Sequence, residues 1–340
     1  MSAPTISDAV ADPEWLPHTY DVSGTSLTFV RVPRSARAEL MFLSDEHFAG
    51  NFEKATFAVS EVATAAAQSE RAPIHFVFHT SFCCSTLLAK ALEVPGRSST
   101  LQEPDVFINL ANRLIRSDDK ANRDRLELVL RLLERPPAAG ETVIVKPTNF
   151  GNRLLDLVLA TRPQSRAILL YSDVETFLRS LLKRGMFGRI FGRQLFNQLR
   201  GWSPVDFGYN PEQLLEQTDV QIAALAWLMQ IQHFDAVARA FGPERVMVLD
   251  SATLLAEPAA AIDKAQSHFG LGLDRAQVEA IAAGPVFSKH SKFAGRDYNA
   301  EARAREHEAA GEAHAEELNM VVQWVETVAA QMGLPLRPGS

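Results

Sequence analysis

Six residues, Ser81, Phe82, Cys83, Cys84, Ser85 and Thr86, lie between the apolar run "IHFVF" and the helical pattern "TLLAKAL". A strand, a short polar turn and a helix in that order present backbone N–H groups to a phosphate or sulfate. Ser85 and Thr86 add two hydroxyls. The usual ATP-binding loop reads G-x-x-x-x-G-K-S/T, and its lysine supports the γ-phosphate. Here His79, Cys84 and Ser85 replace its two glycines and its lysine, and only Thr86 fits. That disfavours an ATP or GTP hydrolase and leaves a backbone anion cradle. The two cysteines raise a second chemistry, because a thiol at a helix N-terminus can be reactive. No nearby C-x-x-C spacing or paired histidine supports it. Small side chains packed under a tight loop explain them at least as well.

Group transfer to a hydroxyl or amine also needs a base. Glu103, in "LQEPDVF", is the first candidate and His290, in "FSKHSKF", the second. Lys146 ends the apolar run "TVIVK". A charge at the end of a buried strand needs a partner or a ligand, and ligands of open parallel sheets sit at the carboxyl ends of strands. His75, His79 and Trp227 read as structural residues, and "GMFGRIFGRQLF" (185–196) reads as a mobile substrate lid or an irregular connection.

The elements that must position these residues alternate. Apolar runs predict strands over 75–78, 143–146, 167–171 and 246–249, each apolar on both faces as in a sheet covered on both sides. Between them, Leu126, Val129, Leu130 and Leu133 share a helical face, as do Phe234, Val237, Ala238 and Phe241. Gly242-Pro243 stops the latter helix, Pro258 opens the next, and Leu318, Val321, Val322, Val325 and Met332 define a closing one. This order implies an α/β fold with a doubly wound parallel sheet flanked by helices. "TSLTFVRV" alternates apolar and polar and predicts one arm of a small sheet. The expected organisation is a β-containing N-terminal extension over 1–72 and an α/β domain with a C-terminal helix over 73–340. "AEARAREHEAAGEAHAEE" reads as a solvated helix or a mobile lead-in to that last helix.

The composition of the 340 residues, 46% hydrophobic and 22% charged with a net charge of −7, is that of a globular protein. The acidity argues against nucleic acid as the main partner. The two cysteines are neighbours and form no disulfide framework, which suits a reducing compartment. The N-terminus lacks a signal-peptide pattern and no apolar stretch would span a bilayer. A cytoplasmic protein without a membrane partner is expected.

"SFCCSTLLAKAL", "LQEPDVF", "TVIVKPTNF", "RAILLYSDVETFLRSLLKRG" and "RVMVLDSATLLAEPAAAIDKAQSHFGL" follow one another in an order that resembles the sulfotransferase family, over roughly residues 73–290. The resemblance implies a P-loop-type sheet and a transferase using 3′-phosphoadenosine 5′-phosphosulfate, with no obligatory metal and a small-molecule or macromolecular acceptor. It places Ser81, Phe82, Cys83, Cys84, Ser85 and Thr86 around the donor's phosphosulfate, Ser172 and Ser180 at its 3′-phosphate, and Glu103 and Lys146 at the chemistry, where His290 is the second candidate base. The chain departs from the family at three positions: Phe82 stands for Lys or Arg, Cys84 for Gly, and Ser172 for the Arg that binds the 3′-phosphate. The expected substitutes are Lys183, Arg184, Arg189, Arg193, Lys289, Lys292 and Arg296, with Lys289 and Lys292 favoured. The alternatives are a nucleotide-dependent phosphotransferase on the same fold, with Asp250 near the magnesium site, and a non-catalytic binding protein with a disarmed donor site.

Overall fold

The aliphatic runs form strands, three of them buried at every residue and the fourth, at the sheet edge, only in part. In the computed structural model, which describes residues 4–37, 39–48, 52–67, 71–288 and 314–339, they are β4 (Ile74–His79), β6 (Thr142–Lys146), β7 (Ala167–Tyr171) and β8 (Val246–Asp250). A fifth strand, β5 (Ser98–Gln102), was hidden by its polarity, since "SSTLQ" looks like a loop. All five of its residues are buried. Two of its three hydroxyls are satisfied nearby: Ser98 Oγ donates to the Leu92 carbonyl at 2.6 Å and Thr100 Oγ1 to Glu93 at 3.0 Å, while the buried Ser99 hydroxyl has no hydrogen-bond partner. The sheet has the order β5-β6-β4-β7-β8. β6 pairs in parallel with β4 and with β5, and Lys146 is in register with Gln102.

The chain divides into two compact units. The first comprises Met1–Phe78, Leu88–Ala167 and Gln266–Gln277. It carries a second, antiparallel sheet of β1 (Trp15–Tyr20), β2 (Ser26–Arg31) and β3 (Lys54–Ala58), so the predicted arm "TSLTFVRV" lies in its middle. Leu27 and Phe29 are fully buried. Arg135, itself buried, donates to the carbonyls of Ala9, Val10 and Trp15 at 2.9, 2.6 and 2.7 Å. One guanidinium thus ties the N-terminal segment to the end of the helix Lys120–Leu133. Further on, Leu43 N–H donates to the Gln102 carbonyl and Asp105 N–H to the Leu43 carbonyl, at 2.8 and 3.2 Å. Those bonds lay residues 42–45 along the end of β5.

The second unit comprises His79–Leu87, Ile168–Ala265 and Val278–Ser340. Its long helix Asp219–Phe241 starts at a Thr218/Gln221 capping box and ends at Gly242, whose φ of 74° needs no Cβ to be accommodated. The stretch 185–196 is no irregular connection but part of a 15-residue helix, Gly185–Leu199. Two of its three glycines, Gly188 and Gly192, are packing glycines. A Cβ on Gly188 would lie 2.0 Å from the Leu181 carbonyl oxygen, and one on Gly192 2.7 Å from the Ala223 Cβ. The closing helix Ala315–Met332 buries Leu318, Val321 and Val325 as expected, while Met332 is 37% exposed at its last position, off the buried face. Residues 300–313 of the Ala/Glu/Arg-rich stretch lie outside the described residues.

His75 is structural. Its Nδ1 accepts from Arg166 N–H at 3.1 Å and its ring stacks on Phe269 at 5.0 Å. Burial, aided by the charges of Arg166 and His268, pushes its pKa down to about 4. Because the unfolded chain then binds a proton that the native state refuses, stability falls as pH drops from about 6.5 toward 4. Denaturant titrations at pH 7 and pH 5 are expected to show this slope in the wild type and a flatter one in His75→Asn.

Candidate functional site

Between β4 and the helix Ser85–Ala91 the backbone turns through the left-handed region at Ser81, Phe82 and Cys84, with φ of 73°, 56° and 64°. None is glycine, so each costs roughly 1–2 kcal/mol. Local bonds hold the turn. Thr80 N–H and Cys83 Sγ both donate to the Leu170 carbonyl, at 3.2 and 3.3 Å. Ser81 N–H donates to His79 Nδ1 at 3.1 Å, and Gln230 Nε2 to the Thr80 carbonyl at 3.3 Å. Cys83 is fully buried, which suits a packing role rather than thiol chemistry. Ser85 and Thr86 are buried at the first turn of the helix, where N–H groups have no intrahelical acceptor.

Other residues of the same unit close around the loop. The Phe82 ring meets Phe177 at 5.6 Å and Phe191 at 5.4 Å, and the Arg184 guanidinium lies over it at 5.3 Å. Ser172 is fully buried. Its carbonyl accepts from Trp227 Nε1 at 2.9 Å, while its hydroxyl has no hydrogen-bond partner. Ser180 is buried on the helix Val174–Leu182. Arg189 forms a two-bonded pair with Glu317, and Arg193 is paired with Asp219. Asp250, which a magnesium-dependent phosphotransferase would need, caps the helix Ser251–Ala256 through Ala252 N–H at 2.8 Å. Lys289, His290, Lys292 and Arg296 lie outside the described residues.

The first unit brings Glu103 and Lys146 together. Lys146 ends β6 fully buried, and its ammonium pairs with the Glu103 carboxylate. That ammonium also lies 4.9 Å from the centre of the Phe42 ring. Glu103 N–H donates to the Lys146 carbonyl at 2.6 Å, and Glu103 itself is left-handed, with φ of 48°. Its side chain keeps 18% exposure while the lysine has none. Beside the pair in sequence, Gln102 Oε1 and Asn149 Nδ2 are buried without a hydrogen-bond partner. Among the described residues, every non-glycine left-handed position falls either in the 81–84 turn or at Glu103. Strain of this kind persists only where the surroundings over-determine it, and it concentrates at functional sites.

One cluster went unseen in the sequence. His18, Asp45 and Asp105 place three ligand atoms within 4.8 Å of one another. His18 Nε2 is 2.9 Å from Asp45 and 3.9 Å from Asp105, and burial raises the pKa of the Asp105 carboxyl. The Lys54 ammonium already stands beside Asp45 as its counter-charge. Residues so far apart along the chain, without a spacing pattern, gave no signal.

No protein-family profile matches the chain, and no curated protein does. Among solved structures it is similar to the sulfotransferase domain from the curacin biosynthetic pathway, at 12% identity over 78% of this chain and 99% of that one, with a TM-score of 0.40. It is similar to the sulfotransferase STF1 from Mycobacterium tuberculosis H37Rv at 14% identity over 72% of this chain and 76% of that one, with a TM-score of 0.39. Mouse sulfotransferase SULT7A1 complexed with PAP is 11% identical over 82% of this chain and 97% of that one, with a TM-score of 0.36.

The strained turn makes a signed prediction. Cys84→Gly removes the Cβ from a left-handed position and is expected to raise stability by about 1 kcal/mol, read as a shift in denaturation midpoint at constant slope. An unchanged or lower midpoint would contradict the cost assigned to Cys84.

Proposed function

We propose that the chain transfers a sulfuryl group from 3′-phosphoadenosine 5′-phosphosulfate to a hydroxyl or amine acceptor. The observation that carries this reading is the turn at residues 81–84. Three of its four residues hold the left-handed backbone that glycine adopts most readily, although no glycine and no lysine stands there. The residues fit the donor. The loop N–H groups with the Ser85 and Thr86 hydroxyls would hold its phosphosulfate, and Ser172, whose buried hydroxyl lacks a partner, would join Ser180 at the 3′-phosphate. When bound, the donor supplies the sulfuryl group and a phosphate leaving group. N–H dipoles fixed beforehand stabilise the negative charge that grows on that leaving group.

Glu103 is the proposed proton acceptor. Its carboxylate is held by Lys146 on one side and reaches solvent on the other, which is what a base for an incoming hydroxyl requires. Lys146 supplies the counter-charge that keeps this carboxylate in place. Lys289 and Lys292 are proposed as further cations for the donor and His290 as a second base. A reducing, cytoplasmic setting belongs to the same reading, since the only two cysteines are both unbridged.

3′-Phosphoadenosine 5′-phosphate is expected to raise the melting temperature, because a ligand at one hundred times its Kd adds about 2.7 kcal/mol to the native state. Glu103→Gln is expected to keep that shift and to lower sulfuryl turnover by about 10²–10⁴-fold. Absence of any shift at millimolar ligand rejects the donor, and full turnover in Glu103→Gln rejects the base.

A further inference from the structure

Position 82 carries a phenylalanine, yet a cation stands over it. The Arg184 guanidinium lies 5.3 Å from the Phe82 ring centre and 5.8 Å from that of Phe187. No carboxylate among the described residues pairs with it, whereas Arg189 and Arg193 on the helix that follows are taken up by Glu317 and Asp219. A guanidinium attracted to a ring face in this way still carries N–H donors for oxygen acceptors. Arg184 is exposed, so those donors are open to a ligand.

The backbone beneath it is fixed. Arg184 N–H donates to the Leu181 carbonyl at 3.0 Å. Gly185 follows with φ of 56°, and Gly188 presses so closely on that same carbonyl that no side chain fits. The corner between the helices Val174–Leu182 and Gly185–Leu199 is therefore a fixed mount for one arginine. Its head rests on a ring belonging to the loop itself. Phe82, flanked by the left-handed Ser81 and preceding the buried Cys83, cannot shift without the loop.

We propose that Arg184 is the cation of the anion loop, supplying from the next helical corner the positive charge that Phe82 does not carry. This rests on the reading of residues 81–86 as an anion site. The ligand group would be the phosphate or sulfate oxygens held by that loop. Charge-assisted hydrogen bonds between a guanidinium and such oxygens are among the strong ones, and their loss costs about tenfold to hundredfold in affinity.

The test measures binding of 3′-phosphoadenosine 5′-phosphate and of inorganic pyrophosphate to the full chain by calorimetry. The variants are Arg184→Ala, Arg184→Lys and Arg184→Ala combined with Phe82→Lys, each first shown to melt like the wild type without ligand. Arg184→Ala is expected to weaken both ligands by about tenfold to hundredfold, Arg184→Lys by less, and the added Phe82→Lys to restore much of the loss. If Arg184→Ala binds both as tightly as the wild type, Arg184 is not the loop cation and the donor reading stands. If the wild type binds pyrophosphate through Arg184 but not the nucleotide, the donor reading falls and the inference holds. If the wild type binds neither ligand, both fall.

Discussion

The Leu170 carbonyl receives two donors, the Thr80 N–H and the Cys83 thiol. Pinning those residues to one atom of β7 leaves Ser81 and Phe82 a short path between them, and the left-handed turn is the path they take. A glycine-rich loop adopts such backbone freely. This one is forced into it by hydrogen bonds to Leu170 and His79, by one from Gln230, and by the burial of Cys83. Everything at the loop, from the buried first-turn hydroxyls of Ser85 and Thr86 to the aromatic cluster around Phe82, follows from that constraint.

The strands and the loop were legible because apolar runs and a polar interruption are one-dimensional signals. β7 appears at its predicted bounds and β4, β6 and β8 within a residue of theirs at either end. β5 was not legible, because Ser98 and Thr100 are satisfied by Leu92 and Glu93, partners that no periodicity reveals. The glycines of 185–196 misled for a related reason. Gly in a helix normally signals weakness, and only the neighbouring Leu181 carbonyl and Ala223 show why it is required. Glu103 and Lys146 could be picked out one at a time, but not as a pair, since 43 residues separate them.

The pair is asymmetric. Lys146 is wholly removed from water while Glu103 keeps an edge in it. An ion pair so placed adds little net stability, because burial costs about what attraction returns. It does fix geometry. With Gln102 in register beside Lys146, and Glu103 bonded to the Lys146 carbonyl, the ends of β5 and β6 are locked together. The left-handed backbone at Glu103 is the conformation compatible with both contacts at once.

Gly188 and Gly192 have a consequence for how this protein can change. They lock one side of their helix against the Leu181 carbonyl and Ala223, so those two positions tolerate no side chain. The opposite side shows Met186, Phe187 and Ile190 to solvent, at 70, 63 and 49% exposure. Packed and exposed positions are thereby interleaved along one helix. A library randomised at 186, 187 and 190 would explore new surface chemistry beside Arg184 while the backbone that carries it stays where it is, an arrangement well suited to evolvability.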